Sequence, residues 1–585
     1  MPGLTGHLKT SCARHKAFFF YFLLTLRDNY QNPMRRIFLT LLLLLSVTAG
    51  YACTNLIVTK GASVDGSVMV TYAADSYTRY GTLVHYPAGK HKAGEMRRIL
   101  QWGQDHYLGE IPEAPYTYNV IGNMNEHQLV IGETTWGGRP ELRDPQGIVD
   151  YGSLEYICLQ RCTKAREAIE LFVQLANEFG YASTGESLSF ADTEEAWILE
   201  VIAKKPDVVD GVNRNKGVVW VAVRIPDGYI SAHANCARIT TFPKNDPENC
   251  IYAPDVISHA REIGIYSGSD EDFSFADTYC PLAFGLIRNC ECRVWSFFNR
   301  WGDLDMNQYL DFVMADNPKN RMPLYVKPKA KLSVLDLATM MRDHYEGTPF
   351  DMTKDIGAGS NETPYRWKQN DWTVDGVKYS NARPICTQQT GFWFVAQCRG
   401  WLPDAVGGLF WFAVDDAGTS ALTPVYSASR AVSWHYALGN GSMVEYSPTS
   451  MFWLNNRIAQ FAYLRYNPVG LEVQERIAAH ERAMVEKVAA CDAAALAIKN
   501  PKKQLKYLTQ FSVAEADALF EEWDKLDKYL LLKYMDGTVK HQNEDGSFKT
   551  NGSVDYIPVS PDWPGYSEKF KRAIVNDNGA LLKVR

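Results

Sequence analysis

The chain has 585 residues, 46% of them hydrophobic and 22% charged, with a formal net charge of -7. Such a composition can bury a large core and excludes an intrinsically disordered chain. Lys and Arg are scattered, without the basic stripe that phosphate backbones require, which speaks against a nucleic-acid partner.

The first informative stretch is Met34-Arg35-Arg36 followed by "IFLTLLLLLSVTAGYA". It has a charged opening, an apolar centre, and small residues at Gly50 and Ala52, the -3 and -1 positions of a signal-peptidase site. Residues 1–52 are therefore expected to be a targeting segment that is removed, leaving Cys53 first in an exported protein, periplasmic or secreted. The apolar run is shorter than the roughly 20 residues of a membrane span, so no stable span is expected after cleavage. A second apolar run, "AFFFYFLLTL", lies upstream. Because Met34 opens a complete signal by itself, it is a candidate true start; a two-pass hairpin anchor is the alternative.

From Cys53 the pattern is strand, turn, strand: "TNLIVTKGASVDGSVMVTYAAD" sets apolar β-formers on both sides of Val64-Asp65-Gly66-Ser67. A similar hairpin signal follows in "YTYNVIGNMNEHQLVIGETTW". From Ser153 to Phe179, apolar residues repeat at three and four positions and predict one helix. Paired strands are expected at "ESLSFADTEEAWILEVI" and at "GVVWVAVRIPDGYISAHAN", the latter turning on Pro226-Asp227-Gly228, with later strands at "GFWFVAQC" and "GGLFWFAVDDAG". Near-continuous apolar strands imply sheets buried on both faces, with helices layered over them. Residues 53–460 form the main domain in this reading. Residues 461–585 form a mostly helical appendage, with helices over 467–499 and 512–534, the second opened by the capping-box pattern Ser512-Val513-Ala514-Glu515.

The chain has 12 cysteines. Cys158 and Cys162 fall four apart on the predicted helix, and Cys290 and Cys292 flank a glutamate, but no histidine partners converge on them in the sequence. Small buried side chains explain them better than a metal site.

Cys53 is different, because cleavage would free its α-amine. An amine with a pKa near 7.7–8.0 beside a thiol near 8.5 exchanges a proton almost isoenergetically, so one residue would carry both nucleophile and base. A buried or disulfide-bonded cysteine is the plain alternative. Lipid acylation is another, against which Tyr51 at -2 and the loss of the amine both argue.

The run "CTNLIVTKGASVDGSVMV" resembles the opening of the C69 dipeptidases, a branch of the N-terminal nucleophile hydrolases that begin Cys-Thr and carry a Lys-x-Ala-Ser-x-Asp-Gly-Ser element. The likeness continues through "NMNEHQLVIGETTWGGR", "GESLSFADTEEAWILE", "WVAVRIPDGYISAHANCARI", "CRVWSFF" and "QQTGFWFVAQCRGWLPDAVGGLFWFAVDDA", covering roughly Cys53 to Tyr426. It implies an α+β fold, the four-layer αββα sandwich, with no metal or other cofactor and a small peptide or amide as substrate. By the same likeness Cys53 is the nucleophile, Asp75 orients its amine or thiol, Asn235 donates to the oxyanion, Arg293 supports the charge of the nucleophile, and Thr135 is a second oxyanion donor. An Asp75 turn, an Asn235 Asx turn and an Arg293 ion pair are the plain structural alternatives. Many relatives carry an Arg three residues before the Asp, where this chain has Tyr72. That departure is the hint for a rival function, a non-catalytic envelope binding protein on the same fold; a lipid-anchored protein is the other rival, and oligomeric state stays open.

Overall fold

The computed structural model describes residues 53–104, 106–367 and 371–585; the expected targeting segment and the start at Met34 lie outside the described residues. The main strands are β1 (Asn55–Val58), β2 (Val68–Asp75), β3 (His85–Tyr86), β4 (Val120–Ile121), β5 (Met124–Asn125), β6 (Val130–Gly137), β7 (Gly185–Ala191), β8 (Ala196–Ala203), β9 (Val218–Arg224), β10 (Ile230–His233), β11 (Cys250–Tyr252), β12 (Tyr325–Val326), β13 (Thr390–Cys398), β14 (Gly408–Val414) and β15 (Thr423–Tyr426). The main helices are α1 (Tyr151–Arg161), α2 (Ala165–Phe179), α3 (Cys292–Trp301), α4 (Val334–Met340), α5 (Met451–Leu464), α6 (Leu471–Ala497) and α7 (Pro501–Tyr534). The fold is α+β.

One sheet has seven strands in the order β12-β10-β1-β2-β13-β14-β15, and the other has eight in the order β11-β9-β8-β7-β6-β5-β4-β3. Neighbouring strands run antiparallel. Alternation along β2 explains why this sheet must be covered twice. Val68, Val70, Tyr72 and Ala74 enter one core, while Met69 and Ala73 enter another. On β13, Phe392, Phe394 and Ala396 take the first side, and Trp393 and Val395 the second. Successive side chains point to opposite faces, so apolar residues at every position require a partner on each. The second core is closed by Trp295 and Phe297 of α3, Leu337 and Met340 of α4, and Met484 and Val488 of α6. Helices α1 and α2 pack on the eight-stranded sheet.

The two sheets approach closely beside the start of β1. Gly132 is required there, because a Cβ would stand 2.5 Å from Asn55 Oδ1 and 3.5 Å from the Tyr72 Cβ. Asn55 Nδ2 donates across this gap to the Glu133 carbonyl at 2.9 Å. His233 makes a second bridge, meeting Thr134 Oγ1 and Ser189 Oγ at 2.7 Å each. Burial holds that imidazole neutral, with a pKa lowered to about 3.

Three local expectations need correction. The helix predicted from Ser153 to Phe179 is two helices, because Cys162 leaves the helix in an extended conformation. Asn125 Nδ2 donates to the Leu159 and Cys162 carbonyls at 2.8 Å, satisfying the end of α1, and the Ala165 N–H that starts α2 is taken by Asp192. Ser512 does not open a helix. The helix starts at Asn500, whose side chain accepts from the Lys503 N–H, with Pro501 at the first turn; Ser512 lies inside it, donating to the Leu508 carbonyl and accepting from Tyr426 N–H of β15. The strands around Pro226-Asp227-Gly228 exist but do not pair. β9 lies between β8 and β11, whereas β10 lies between β1 and β12, so this turn carries the chain from one sheet to the other.

Candidate active site

Cys53 sits at the entrance to β1, where Thr54 bridges to Ala73 of β2. Its side chain is 4% exposed. The sulfur lies 3.6 Å from Tyr72 Oη and 3.7 Å from Glu133 Oε1, and Tyr72 Oη donates to that same carboxylate oxygen at 2.5 Å. The Asp75 backbone N–H also points at the sulfur. Burial pushes the Cys53 thiol well above its ordinary pKa, and the carboxyls of Glu133 and Asp75 add to the rise, while the Asp75 N–H and Tyr72 hydroxyl oppose it. Cys53 in this environment is a neutral thiol.

Asp75 ends β2 at an irregularity in the pairing with β13. Its carboxylate accepts from Arg383 Nη2 at 2.5 Å and from Thr390 Oγ1 at 2.7 Å. Burial raises its pKa, and Arg383 and Thr390 pull against that rise. Asp75 therefore reaches the sulfur through its backbone, with its side chain committed to the loop and strand that follow residue 382.

Arg293 projects from α3 with a 1% exposed side chain. Its Nη1 donates to the Cys53 carbonyl at 2.6 Å and to Thr54 Oγ1 at 2.7 Å; its Nη2 donates to the Ala234 carbonyl at 3.1 Å and Asn235 Oδ1 at 3.0 Å; its Nε reaches the Asn289 carbonyl at 2.7 Å. The rigid guanidinium fork thus ties the nucleophile's backbone to the Asn235 side chain. Burial lowers its pKa, and Arg383 nearby adds to that effect.

Asn235 has a left-handed backbone, with φ of 59°. This conformation turns its amide toward β6, where Nδ2 donates to the Thr135 carbonyl at 2.6 Å. A carboxamide has two N–H donors, and this contact uses one of them. Thr135 meets Asn235 through an acceptor, its carbonyl, while its side chain lies beside Glu186, its register partner on β7. Downstream, the Arg238 and Ile239 N–H groups donate to Glu200 at 2.5 and 3.1 Å, which fixes the turn after Asn235; burial raises the Glu200 pKa to about 7.

All five residues singled out in the sequence converge here. Sequence reading missed Arg383, which arrives from a loop more than 300 positions from Asp75 and carries no local signal. It also missed Glu133, although an acid within the apolar run "VIGETTWG" was visible. Tyr72, noted as a departure, stands against the nucleophile, and Arg383 supplies a guanidinium to Asp75.

The model of peptidase family C69 matches residues 78–478. The chain is 25% identical to a "Probable dipeptidase" of Salmonella dublin, over 66% of this chain and 83% of that protein. It is 23% identical to a "Probable dipeptidase A" of Streptococcus pyogenes, over 71% of this chain and 83% of the relative, and 23% identical to a "Probable dipeptidase B" of Lactococcus lactis, over 71% and 82% respectively. Among the described residues no helix is long and apolar enough to cross a membrane.

Proposed function

The chain belongs to peptidase family C69, and from that premise we propose that its mature form is an exported dipeptidase in which Cys53 is the nucleophile and its own α-amine the base. It is a peptide-bond hydrolase by family and by the names of its relatives. The finer reading includes the four-layer αββα sandwich, with helices over the outer face of each sheet. It also includes export directed by the segment that ends at Ala52.

In the proposed reaction the Cys53 thiol gives its proton to the adjacent amine as the sulfur attacks the substrate carbonyl. The oxyanion meets the second N–H of Asn235, an amide held in place by Arg293 and the Thr135 carbonyl. Collapse breaks the C–N bond, and the ammonium returns its proton to the leaving amine. A water then attacks the thioester, losing its proton to the same amine, and the thiolate departs with the acid released. While Cys53 remains in peptide linkage that amine is not a base, and the raised thiol pKa keeps the sulfur inert.

The observation that best supports this reading is the double tie of Arg293, to the Cys53 carbonyl and to Asn235. It sets nucleophile and oxyanion donor in one frame. N-terminal mass analysis of the mature protein, paired with a dipeptide hydrolysis assay, tests it. A free Cys53 in active protein is expected. Replacing Ala52 by a bulky residue that blocks cleavage should lower hydrolysis by orders of magnitude, and full activity in verified uncleaved protein would overturn the mechanism.

A further inference from the structure

Beside the nucleophile lies a set of acids that the reaction above does not use. Glu133 of β6, Glu186 of β7 and Glu155 of α1 are all buried, Glu186 completely. Asn123 donates to Glu155, and Tyr72 to Glu133 Oε1. Glu133 Oε2 and both oxygens of Glu186 have no hydrogen-bond partner of good geometry; the two carboxyls lie against each other, with the Thr135 side chain beside Glu186. Among the described residues no Lys or Arg forms an ion pair with any of the three acids. Arg79 is the cation whose field reaches Glu133, and its guanidinium stacks over the Trp102 ring at 5.1 Å.

Buried acids that face one another with no cation between them are costly, and a native fold keeps them where something else completes them. We propose that Glu133 and Glu186 form the subsite for the free α-ammonium group of the substrate, which restricts hydrolysis to peptides with an unblocked N terminus. This rests on the dipeptidase reading above and names the end of the peptide that the site recognises.

Peptide geometry fits this placement. A carbonyl carbon poised for attack stands about 3–3.5 Å from the sulfur. Standard bond lengths and angles put the α-nitrogen of the same residue about 2.5 Å from that carbon. Glu133 Oε1 is 3.7 Å from the sulfur, so the nitrogen of the residue under attack falls within reach of this carboxyl. An ammonium has three donors, and Glu133 Oε2 and the two Glu186 carboxyl oxygens lack a well-aligned one. A metal ion is a poorer match, because among the described residues no group of three or more His, Cys, Asp or Glu side chains is spaced to hold one. Burial and the Glu133 carboxyl push Glu186 well above the usual carboxylate range, so without a cation it holds its proton, and a bound ammonium would favour its ionised form.

The α-amine of Cys53 itself is the other cation that could lie here, and the test separates the two. For the mature enzyme beginning at Cys53, kcat/KM is measured for a dipeptide and for its N-acetyl counterpart. The wild type should prefer the free form by about 10²-fold or more, because a site built to hydrogen-bond a group rejects the analogue that lacks it. In Glu186→Gln that preference should shrink at least tenfold, through loss on the free dipeptide alone. A wild type that cleaves both forms equally overturns the subsite and leaves the peptidase reading intact. Cleavage of neither, nor of any other peptide, overturns the reading itself. Equal losses on both substrates in Glu186→Gln would assign the carboxyl to the Cys53 amine or to the fold, and would also overturn the subsite. Should that variant not fold, inhibition of the wild type by an amino-acid amide and by its N-acetyl form gives the same discrimination: only the free amine should compete, and equal competition would refute the proposal.

Discussion

Arg293 donates to the carbonyl of Cys53 at 2.6 Å from a helix 240 positions away in the chain. The same guanidinium holds Asn235 Oδ1 at 3.0 Å, so a single buried side chain ties the backbone of the nucleophile to that amide. Arg293→Lys keeps a charge but loses the fork. It should lower kcat by about 10²-fold with little change in KM, the cost of a small misplacement of reacting groups. Steady-state kinetics on a dipeptide, with the melting temperature as a control for folding, measure it.

Cys53→Ala removes the attacking atom and should abolish turnover. Cys53→Ser keeps the amine but starts from a hydroxyl far less ionised near neutral pH, so only a small residual rate is expected. Undiminished activity in the alanine variant would move the chemistry to another site.

Asn235 combines a left-handed backbone with a polar amide, and the two contributions separate by substitution. Asn235→Gly keeps the backbone without strain and removes the donor; kcat should fall by about 10²–10³, the usual cost of one oxyanion donor. Asn235→Ala should show the same kinetic loss and, in addition, about 1 kcal/mol of destabilisation from the forced left-handed conformation. Equal kcat in wild type and both variants would exclude the oxyanion role.

Arg383 and Asp75 form a buried pair at 2.5 Å. Arg383→Met leaves the Asp75 carboxyl without its counter-charge and should cost about 3–5 kcal/mol, whereas Asp75→Asn combined with Arg383→Met should recover most of that loss. A denaturant-unfolding double-mutant cycle reads the coupling. Additive effects of the two changes would show that the pair contributes nothing jointly.

His233 gives the protein an acid-sensitive bridge between its sheets. Its folded pKa of about 3 lies below the ordinary imidazole value, so between these limits the unfolded chain binds a proton that the folded chain refuses. The stability from His233 is therefore fully present above about pH 6.5 and is lost as pH falls toward 3, on the order of a few kcal/mol in total. His233→Gln should be less stable at pH 7 but should lose less stability between pH 6.5 and 4 than the wild type. Parallel stability curves for the two proteins would refute this.

The strands and most helices were legible because their signals are local. In β8, β13 and β14, apolar and aromatic residues dominate at successive positions, as continuous burial in a sheet covered on both faces requires. The family was legible in ordered blocks from Cys53 to Tyr426, and its resemblance singled out Cys53, Asp75, Thr135, Asn235 and Arg293. Tertiary structure decided what periodicity cannot encode. The break between α1 and α2 depends on Asn125 and Asp192 reaching in from elsewhere, and Ser512 is spent on a strand instead of a cap. The strands on either side of Pro226-Asp227-Gly228 part because each pairs with strands of a different sheet, partners far away in the chain. Arg383 and the acids around Glu133 belong to the site only because strands and loops hundreds of residues apart converge, and burial, which alone makes an unpaired carboxyl costly, is a property of the packed chain and of no segment within it.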